Sequence, residues 1–225
     1  MKPSETSEGG KTGLWRHRVQ SLGEEIANSI SHGVGLVGAI AVTPIMIVVA
    51  TRSAGAIGVV AASIFGATMI LMYLMSTLYH AMPQGRAKRV FKILDHSAIY
   101  LLIAGSYTPF TLVVLRGGWG WSLFGVIWGL AILGIVFKAF ARLRHPTVST
   151  VIYVAMGWLI VIAIKPLWDH VSPWGVIWLG AGGMAYTLGV TFYAAQGLRY
   201  GHFVWHLFVL AGTCCHFIAV LKYAT

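Results

Sequence analysis

Seven long apolar segments, separated by short polar connections, constrain the fold of this chain more than any other feature. Each is about 20 residues or longer, the length an α-helix needs to cross the hydrocarbon core of a bilayer. The predicted spans are residues 26–50, 54–82, 94–115, 120–141, 147–165, 174–197 and 202–222. They are about twice as long as the strands of a membrane β-barrel and lack their alternation. We therefore predict an all-α membrane protein, a bundle of seven transmembrane helices.

The composition excludes a water-soluble domain. Of the 225 residues, 57% are hydrophobic and only 10% are charged, whereas soluble domains carry about a quarter charged residues. The formal net charge of +10 does not indicate nucleic acid, because the basic residues lie in the connections between apolar segments, where they orient membrane helices. We expect membrane lipids as partners and no nucleic acid, and the oligomeric state stays open.

The two ends of the chain differ in polarity. Residues 1–23 are polar and mixed in charge, which predicts a cytoplasmic tail ahead of a transmembrane domain at residues 24–225. The tail has neither the apolar core nor the cleavage site of a signal peptide. Near the other end, Cys214 and Cys215 are adjacent in an apolar segment. We expect them to be small buried side chains without a disulfide bond.

The distribution of Lys and Arg predicts the orientation of the bundle. Twelve of these residues fall in the N-terminal tail and in the second, fourth and sixth connections, and four fall on the opposite side. Excess positive charge stays in the cytoplasm. We therefore expect a multi-pass protein of the inner (plasma) membrane with its N-terminus inside and its C-terminus outside.

Four groups of polar residues lie at span ends that this topology brings to the cytoplasmic side. In chain order, the groups are Glu25, Asn28, Ser31 and His32; Ser76 and His80; Asp95 and His96; and His202 and His206. Ionisable residues within spans are costly and are candidates for function. Because spans 1, 3 and 7 begin at this side and span 2 ends there, all four groups lie at one depth. A shared layer predicts one site built between four helices.

The histidines of this layer indicate a metal site. His202 and His206 are four residues apart and project from one helix face, and His80 can supply a third imidazole. Three neutral imidazoles favour Zn²⁺ and leave one tetrahedral position for water, whose pKa falls to about 7 when bound. We expect Asp95 to hold that water and act as a general base. Ser76 is expected to bind a ligand or polarise a substrate carbonyl.

Glu25, Asn28 and His32 share one stripe of the first helix and are expected to surround the metal ligands and fix their tautomers. Non-catalytic explanations exist for each group. Histidines at a helix start can face lipid headgroups, Asp95 can pair with a nearby cation, and Ser76 can bond its own helix backbone. The stripe on the first helix can serve only for capping and packing.

Small residues predict where helices approach closely. Gly35 with Gly38 marks such a position on the first span. On the sixth span, Ala181, Ala185 and Gly189 recur every four residues. Stripes of this kind allow the backbones of two membrane helices to come close together.

The motifs resemble those of the haemolysin III family, the bacterial branch of the progestin and adipoQ receptor superfamily. They are Glu25-x-x-Asn28-x-x-Ser31-His32, Ser76-Thr77-Leu78-Tyr79-His80, Asp95-His96 with the segment that follows it to Phe110, and His202-Phe203-Val204-Trp205-His206. The resemblance covers residues 24–220. It implies seven helices with a cytoplasmic N-terminus, zinc bound by the three histidines at 80, 202 and 206, and contact of Asp95 with the zinc-bound water beside Ser76.

The resemblance leaves several functions open. Alkaline ceramidases are similar in this core and hydrolyse a lipid amide, which implies zinc-dependent hydrolysis of a lipid amide or ester. One alternative is a non-catalytic, zinc-stabilised protein that affects membrane fluidity, energetics or signalling. Another is a pore-forming cytolysin, as the family name suggests. A fourth is a hydrolase with Ser76 as nucleophile and a histidine base. Whether the chain is an enzyme stays open at this point.

Overall fold

The computed structural model describes residues 18–140, 146–195 and 197–225. Within these ranges it contains seven helices that are long and apolar enough to cross a membrane, and no strand. They are α1 (Leu22–Ser53), α2 (Gly55–Ala81), α3 (Arg86–Leu115), α4 (Gly117–Ala139), α5 (Thr147–His170), α6 (Pro173–Ala194) and α7 (Gly201–Tyr223). The predicted all-α, seven-helix class is confirmed.

The first helix begins at Leu22, earlier than the predicted residue 26, because a capping box starts it. The Ser21 hydroxyl accepts the Glu24 backbone N–H at 3.4 Å, and the Glu24 carboxylate accepts the Ser21 backbone N–H at 2.9 Å. Such reciprocal bonds satisfy two backbone donors that a helix start otherwise leaves free. Of the predicted tail, residues 1–17 lie outside the described residues.

The third helix also begins before its predicted start at residue 94. Its first two turns, from Arg86, mix basic and apolar residues, so a search for apolar segments misses them. At the other end, Pro109 lacks a backbone N–H and cannot continue the α-helical bonding pattern. The wider π-helical turns of Phe110–Leu115 follow it.

The fifth helix continues past Pro166, where the sequence predicts its end. Its middle part, Trp158–Ala163, is a 3₁₀-helix, and a new α-helical segment begins at Ile164 and ends at His170. Pro166 is the third residue of that segment. The first four backbone N–H groups of an α-helix have no partner within that helix. Proline is therefore tolerated there, and the prediction of a break at Pro166 is wrong.

The hydroxyl of Tyr107 on α3 binds the irregular part of α5. It lies 2.8 Å from the carbonyl oxygens of Met156 and Gly157, and it accepts the Ile160 backbone N–H at 2.9 Å. The change from α-helix to 3₁₀-helix interrupts the regular backbone hydrogen bonds of α5. The Tyr107 hydroxyl is a hydrogen-bonding partner for three backbone groups at this point. It is a direct polar tie between α3 and α5.

The helices form a closed ring in which α7 packs against both α6 and α1. On α1, a Cβ at Gly35 would lie 2.7 Å from side-chain atoms of Tyr73 and Leu210, so this glycine permits the approach of α2 and α7. A Cβ at Gly38 would meet nothing within 4 Å, so the packing role predicted for Gly38 is wrong. Closure of the ring brings the start of α7 beside the start of α1.

Between α6 and α7, the close contact follows glycines seven residues apart. Gly175, Gly182 and Gly189 are buried, whereas Ala181 is exposed, so the predicted stripe of Ala181, Ala185 and Gly189 holds only at its last member. A Cβ at Gly182 would lie 2.3 Å from the ring of His216. The predicted spacing of four residues failed because the contact recurs at every second turn.

The two cysteines of α7 are free cysteines, and they are not both buried. Cys214 is exposed and Cys215 is half-buried. Cys214 lies on the side of α7 that turns away from its neighbours, and the expectation of a buried thiol there is therefore wrong.

The packing of α6 on α7 yields a stability prediction. Gly182→Ala should lower the free energy of unfolding by about 1–3 kcal/mol, because the added methyl group overpacks the contact with His216. Thermal unfolding of the purified protein in detergent, followed by circular dichroism, measures the change. Gly180→Ala is the matched control, since a Cβ at Gly180 meets nothing within 4 Å. Unfolding of Gly182→Ala at or above the wild-type temperature would contradict the prediction.

Candidate metal centre

Three histidines from remote parts of the chain meet at one end of the bundle. His80 lies in the last turn of α2, and His202 and His206 lie in the first two turns of α7. One nitrogen atom of each ring lies within 4.8 Å of the others. The ring centroids are 4.7–5.1 Å apart. The predicted convergence of these three side chains is confirmed, and the group could hold a metal ion.

Hydrogen bonds to α1 orient two of these rings. His80 Nδ1 lies 2.7 Å from Glu25 Oε2. His206 Nδ1 lies 3.2 Å from the backbone oxygen of Asn28 and 3.1 Å from Ser31 Oγ. A carboxylate and a carbonyl only accept, so Nδ1 is the donor in both contacts, and Nε2 is the nitrogen left to bind a metal ion. A histidine that binds a metal ion through one ring nitrogen usually donates the N–H of the other nitrogen to a carboxylate or carbonyl in this way.

The carboxylate of Glu25 has a second partner that the sequence analysis missed. Lys88 Nζ lies 2.8 Å from Glu25 Oε1 and also donates to the carbonyl oxygens of Tyr79 and Met82, at 3.2 and 3.1 Å. A buried ammonium group is tolerated when it is paired and hydrogen-bonded in this way. Lys88 thereby links α3 to the last turn of α2 and to Glu25. No sequence signal separates it from the other basic residues at the start of α3.

A second missed residue, Glu24, connects α1 with the start of α7. Its carboxylate binds the Arg18 guanidinium and accepts the backbone N–H of Tyr200 at 2.8 Å. The hydrogen bond to Glu24 is the main cause that raises the pKa of Arg18. Tyr200 adopts a left-handed conformation, with φ of 58°, two residues before His202. The sequence signal was available, because Ser21 and Glu24 have the spacing of a capping box.

The other residues of the predicted stripe on α1 also lie against the histidines. The His32 ring stacks on that of His206, with centroids 3.5 Å apart and planes 8° from parallel. Both nitrogen atoms of His32 are buried and have no hydrogen-bond partner in the described part of the chain. Asn28 Nδ2 donates to Gln20 Oε1 at 2.6 Å, and it lies 3.5 Å from His80 Nδ1.

Asp95 and Ser76, the predicted catalytic residues, line an apolar cavity next to the histidines. The cavity has an empty volume of about 1090 Å³, including its open mouth, and helices α2, α3, α5, α6 and α7 form most of its wall. The polar residues in the wall around the metal centre include His32, Ser76, Asp95, His96, His202 and His206. Asp95 is buried, and its Oδ2 lies 3.3 Å from His96 Nδ1.

Several buried polar atoms around the histidines have no hydrogen-bond partner within the described ranges. Beside the two nitrogens of His32, they are Asn28 Oδ1, Ser76 Oγ and His80 Nε2. Buried polar atoms in folded proteins nearly always have partners. A bound metal ion would supply a partner for His80 Nε2, and a donor set of three imidazoles suits zinc with an open coordination position. The residues therefore fit zinc.

The contact between Glu25 and His80 yields a prediction about metal affinity. Glu25→Gln keeps the shape of the side chain but removes the charge that orients the imidazole, and we expect zinc affinity to fall about tenfold to a hundredfold. Competition with a chromophoric chelator in detergent measures the affinity. Asp169→Asn is the control, since Asp169 is an exposed carboxylate paired with Lys165. Equal affinity of Glu25→Gln and wild type would contradict the prediction.

Comparison with known proteins found a matching family and several relatives. The family model described as haemolysin-III related matches residues 20–217. Hemolysin-3 of Bacillus cereus is 48% identical over 204 residues, which cover 91% of this chain and 93% of that protein. A hemolysin-3 homolog of Bacillus subtilis (strain 168) is 43% identical over 203 residues, which cover 90% of this chain and 95% of that protein.

A more distant similarity extends to animal proteins. The human monocyte to macrophage differentiation factor is 26% identical over 170 residues, which cover 73% of this chain and 70% of that protein. No solved structure was found to match the chain.

Proposed function

The chain belongs to the haemolysin III family of multi-pass membrane proteins, and from this premise we propose that it is a zinc-dependent hydrolase of a lipid amide or ester. His80, His202 and His206 would hold the zinc ion. The membrane is the inner (plasma) membrane, with the N-terminus in the cytoplasm, as the distribution of basic residues favours.

The observation that carries this proposal is that the histidine group borders an apolar cavity. Ligand sites are mostly apolar with a few polar groups that converge on one point. Here an acyl chain can lie among the apolar side chains of α3, α5 and α6. The carbonyl group at the head of that chain then reaches the histidine end of the cavity. A lipid amide or ester has this combination of parts.

The side chains around the cavity have distinct roles in this hydrolysis. Zinc, when bound, polarises a carbonyl and lowers the pKa of water. Asp95 accepts the proton from the attacking water and delivers it to the leaving amine or alcohol. The Ser76 hydroxyl donates a hydrogen bond to the oxygen that becomes negatively charged. Glu25 and Asn28 keep the imidazoles in the required tautomer.

The surroundings of Ser76 favour this role over that of a nucleophile. A nucleophilic serine needs a base within hydrogen-bonding distance. Ser76 Oγ is buried and has no such partner among the described residues. A serine mechanism also predicts activity that survives chelators, whereas the proposed mechanism predicts that chelators abolish it.

Zinc content and lipid cleavage test the proposal separately. Purified wild type should carry about one zinc per chain, and His206→Ala should lose it, because a site of three imidazoles then keeps two. Asp95→Asn should keep zinc but lose about a hundredfold or more of the hydrolysis rate, since it removes the group that transfers the proton. Elemental analysis measures zinc, and mass spectrometry of fatty acids released from a total lipid extract measures hydrolysis.

Two outcomes would contradict the proposal. A correctly folded wild-type protein without zinc at neutral pH would exclude the metal site. Equal fatty acid release by wild type and Asp95→Asn would remove the proton-transfer role. If zinc is present and no lipid is cleaved, the non-catalytic alternative is favoured, in which the ion only joins α2 to α7.

The relatives named hemolysin-3 bring cell lysis into consideration. We do not propose a pore. A lysin that reaches foreign membranes through water needs a polar exterior, and every long helix described here is apolar enough to span a bilayer. Lysis of red cells by the purified protein would overturn this view.

A further inference from the structure

A second cavity adjoins the metal centre on the side where α1 and α7 begin. It has an empty volume of about 1510 Å³, including its open mouth, and its wall is more polar than that of the apolar cavity. We call it the basic vestibule. Its charged residues are Arg18, Glu24, Glu25, Lys88, Arg89, Lys92 and Lys138.

Both carboxylates of the basic vestibule already have partners. Glu24 binds Arg18, and Glu25 binds Lys88 together with the imidazole of α2 described above. Three cations of the wall therefore remain without a carboxylate of this cavity. They are Arg89, Lys92 and Lys138.

None of these three cations has a carboxylate in ion-pair contact among the residues that the structure describes. Arg89 and Lys92 are exposed on α3 and form no ion pair within the described ranges. Lys138 on α4 donates to Ser149 Oγ at 3.4 Å. Asp95 attracts Lys138 electrostatically, but it lines the apolar cavity and its close contact is with His96. Uncompensated charge of one sign in a concave surface attracts ligands of the opposite sign.

The two cavities meet at the metal centre. His96, Tyr193 and His202 line both of them. One of the three candidate metal ligands therefore stands at the boundary between an apolar space and a basic space. A molecule that occupies both spaces is an amphiphile, and the bond at the junction of its two parts would lie beside this candidate ligand.

We infer that the basic vestibule binds the anionic, phosphate-bearing head group of the acyl lipid that is the substrate. This inference rests on the proposed function and specifies its substrate class. The acyl chain occupies the apolar cavity, the amide or ester lies at the histidines, and the head group contacts Arg89, Lys92 and Lys138. Zwitterionic and neutral lipids lack the net charge that these residues recognise.

Basic residues at helix ends also contact bilayer phospholipids in general, and the chain provides a control for this effect. Arg86 is exposed on the first turn of α3, near Lys92, but it does not line the vestibule. Arg86→Gln and Lys92→Gln remove one charge each from the same exposed segment. A general surface effect predicts that both substitutions weaken binding of an anionic amphiphile equally. A binding site predicts weaker binding only for Lys92→Gln.

Binding of simple amphiphiles tests the inference without a known substrate. The zinc-loaded protein is placed in nanodiscs of zwitterionic phosphatidylcholine, and equilibrium dialysis measures binding of dodecyl phosphate, dodecylphosphocholine and inorganic phosphate. Wild type should bind dodecyl phosphate about tenfold or more tightly than dodecylphosphocholine, the strength of one or two contacts to a charged group. Lys92→Gln should remove most of this preference, and Arg86→Gln should keep it.

Three results would overturn the inference. They are equal binding of the two dodecyl compounds, equal losses in Lys92→Gln and Arg86→Gln, and binding of inorganic phosphate as tight as that of dodecyl phosphate. The last result would indicate an anion site unrelated to a lipid. Selective binding of dodecyl phosphate without cleavage of any phosphate-bearing lipid would contradict the proposed hydrolase and support the head-group site. Cleavage of neutral lipids without selective binding would support the hydrolase and contradict the head-group site.

Discussion

The carboxylate of Glu25 on α1 binds His80 from α2 and Lys88 from α3, and the polar end of the bundle is organised around this contact. A charged group within a membrane span is tolerated only when it is paired. Glu25 meets this requirement by joining three helices. One turn further along α1, the backbone oxygen of Asn28 binds His206 from α7. The first helix is thus the common partner that orients His80 of α2 and His206 of α7, two of the three candidate metal ligands.

The parts of the structure that follow from hydropathy and helix periodicity were predictable. Only helices satisfy their own backbone in hydrocarbon, so seven apolar segments became seven helices. Alternating directions of the spans placed His80 at the same depth as His202 and His206, and the structure confirms that the three rings meet. Asp95 and Ser76 were predicted near them by the same argument, and both line the adjoining cavity.

The parts that depend on contacts between helices were not predictable in the same way. Pro166 has the ordinary sequence signal for a break, and only the change to a 3₁₀-helix before it allows α5 to continue. The buried glycines of α6 recur every seven residues because a Cβ at each of them would meet a side chain of α7. Lys88 resembles its basic neighbours in sequence, and its pairing with Glu25 becomes visible only when α1 and α3 are placed.

The helices at the two ends of the apolar cavity differ in the contacts that hold them in place. At the histidine end, ion pairs and stacked rings from four helices restrain one another. Further along, the change of helix type in α5 relies on the single phenol of Tyr107 for three of its backbone groups. Loss of that one hydroxyl group would leave three backbone groups of α5 without their partner, whereas the imidazoles would still be held by contacts from several helices.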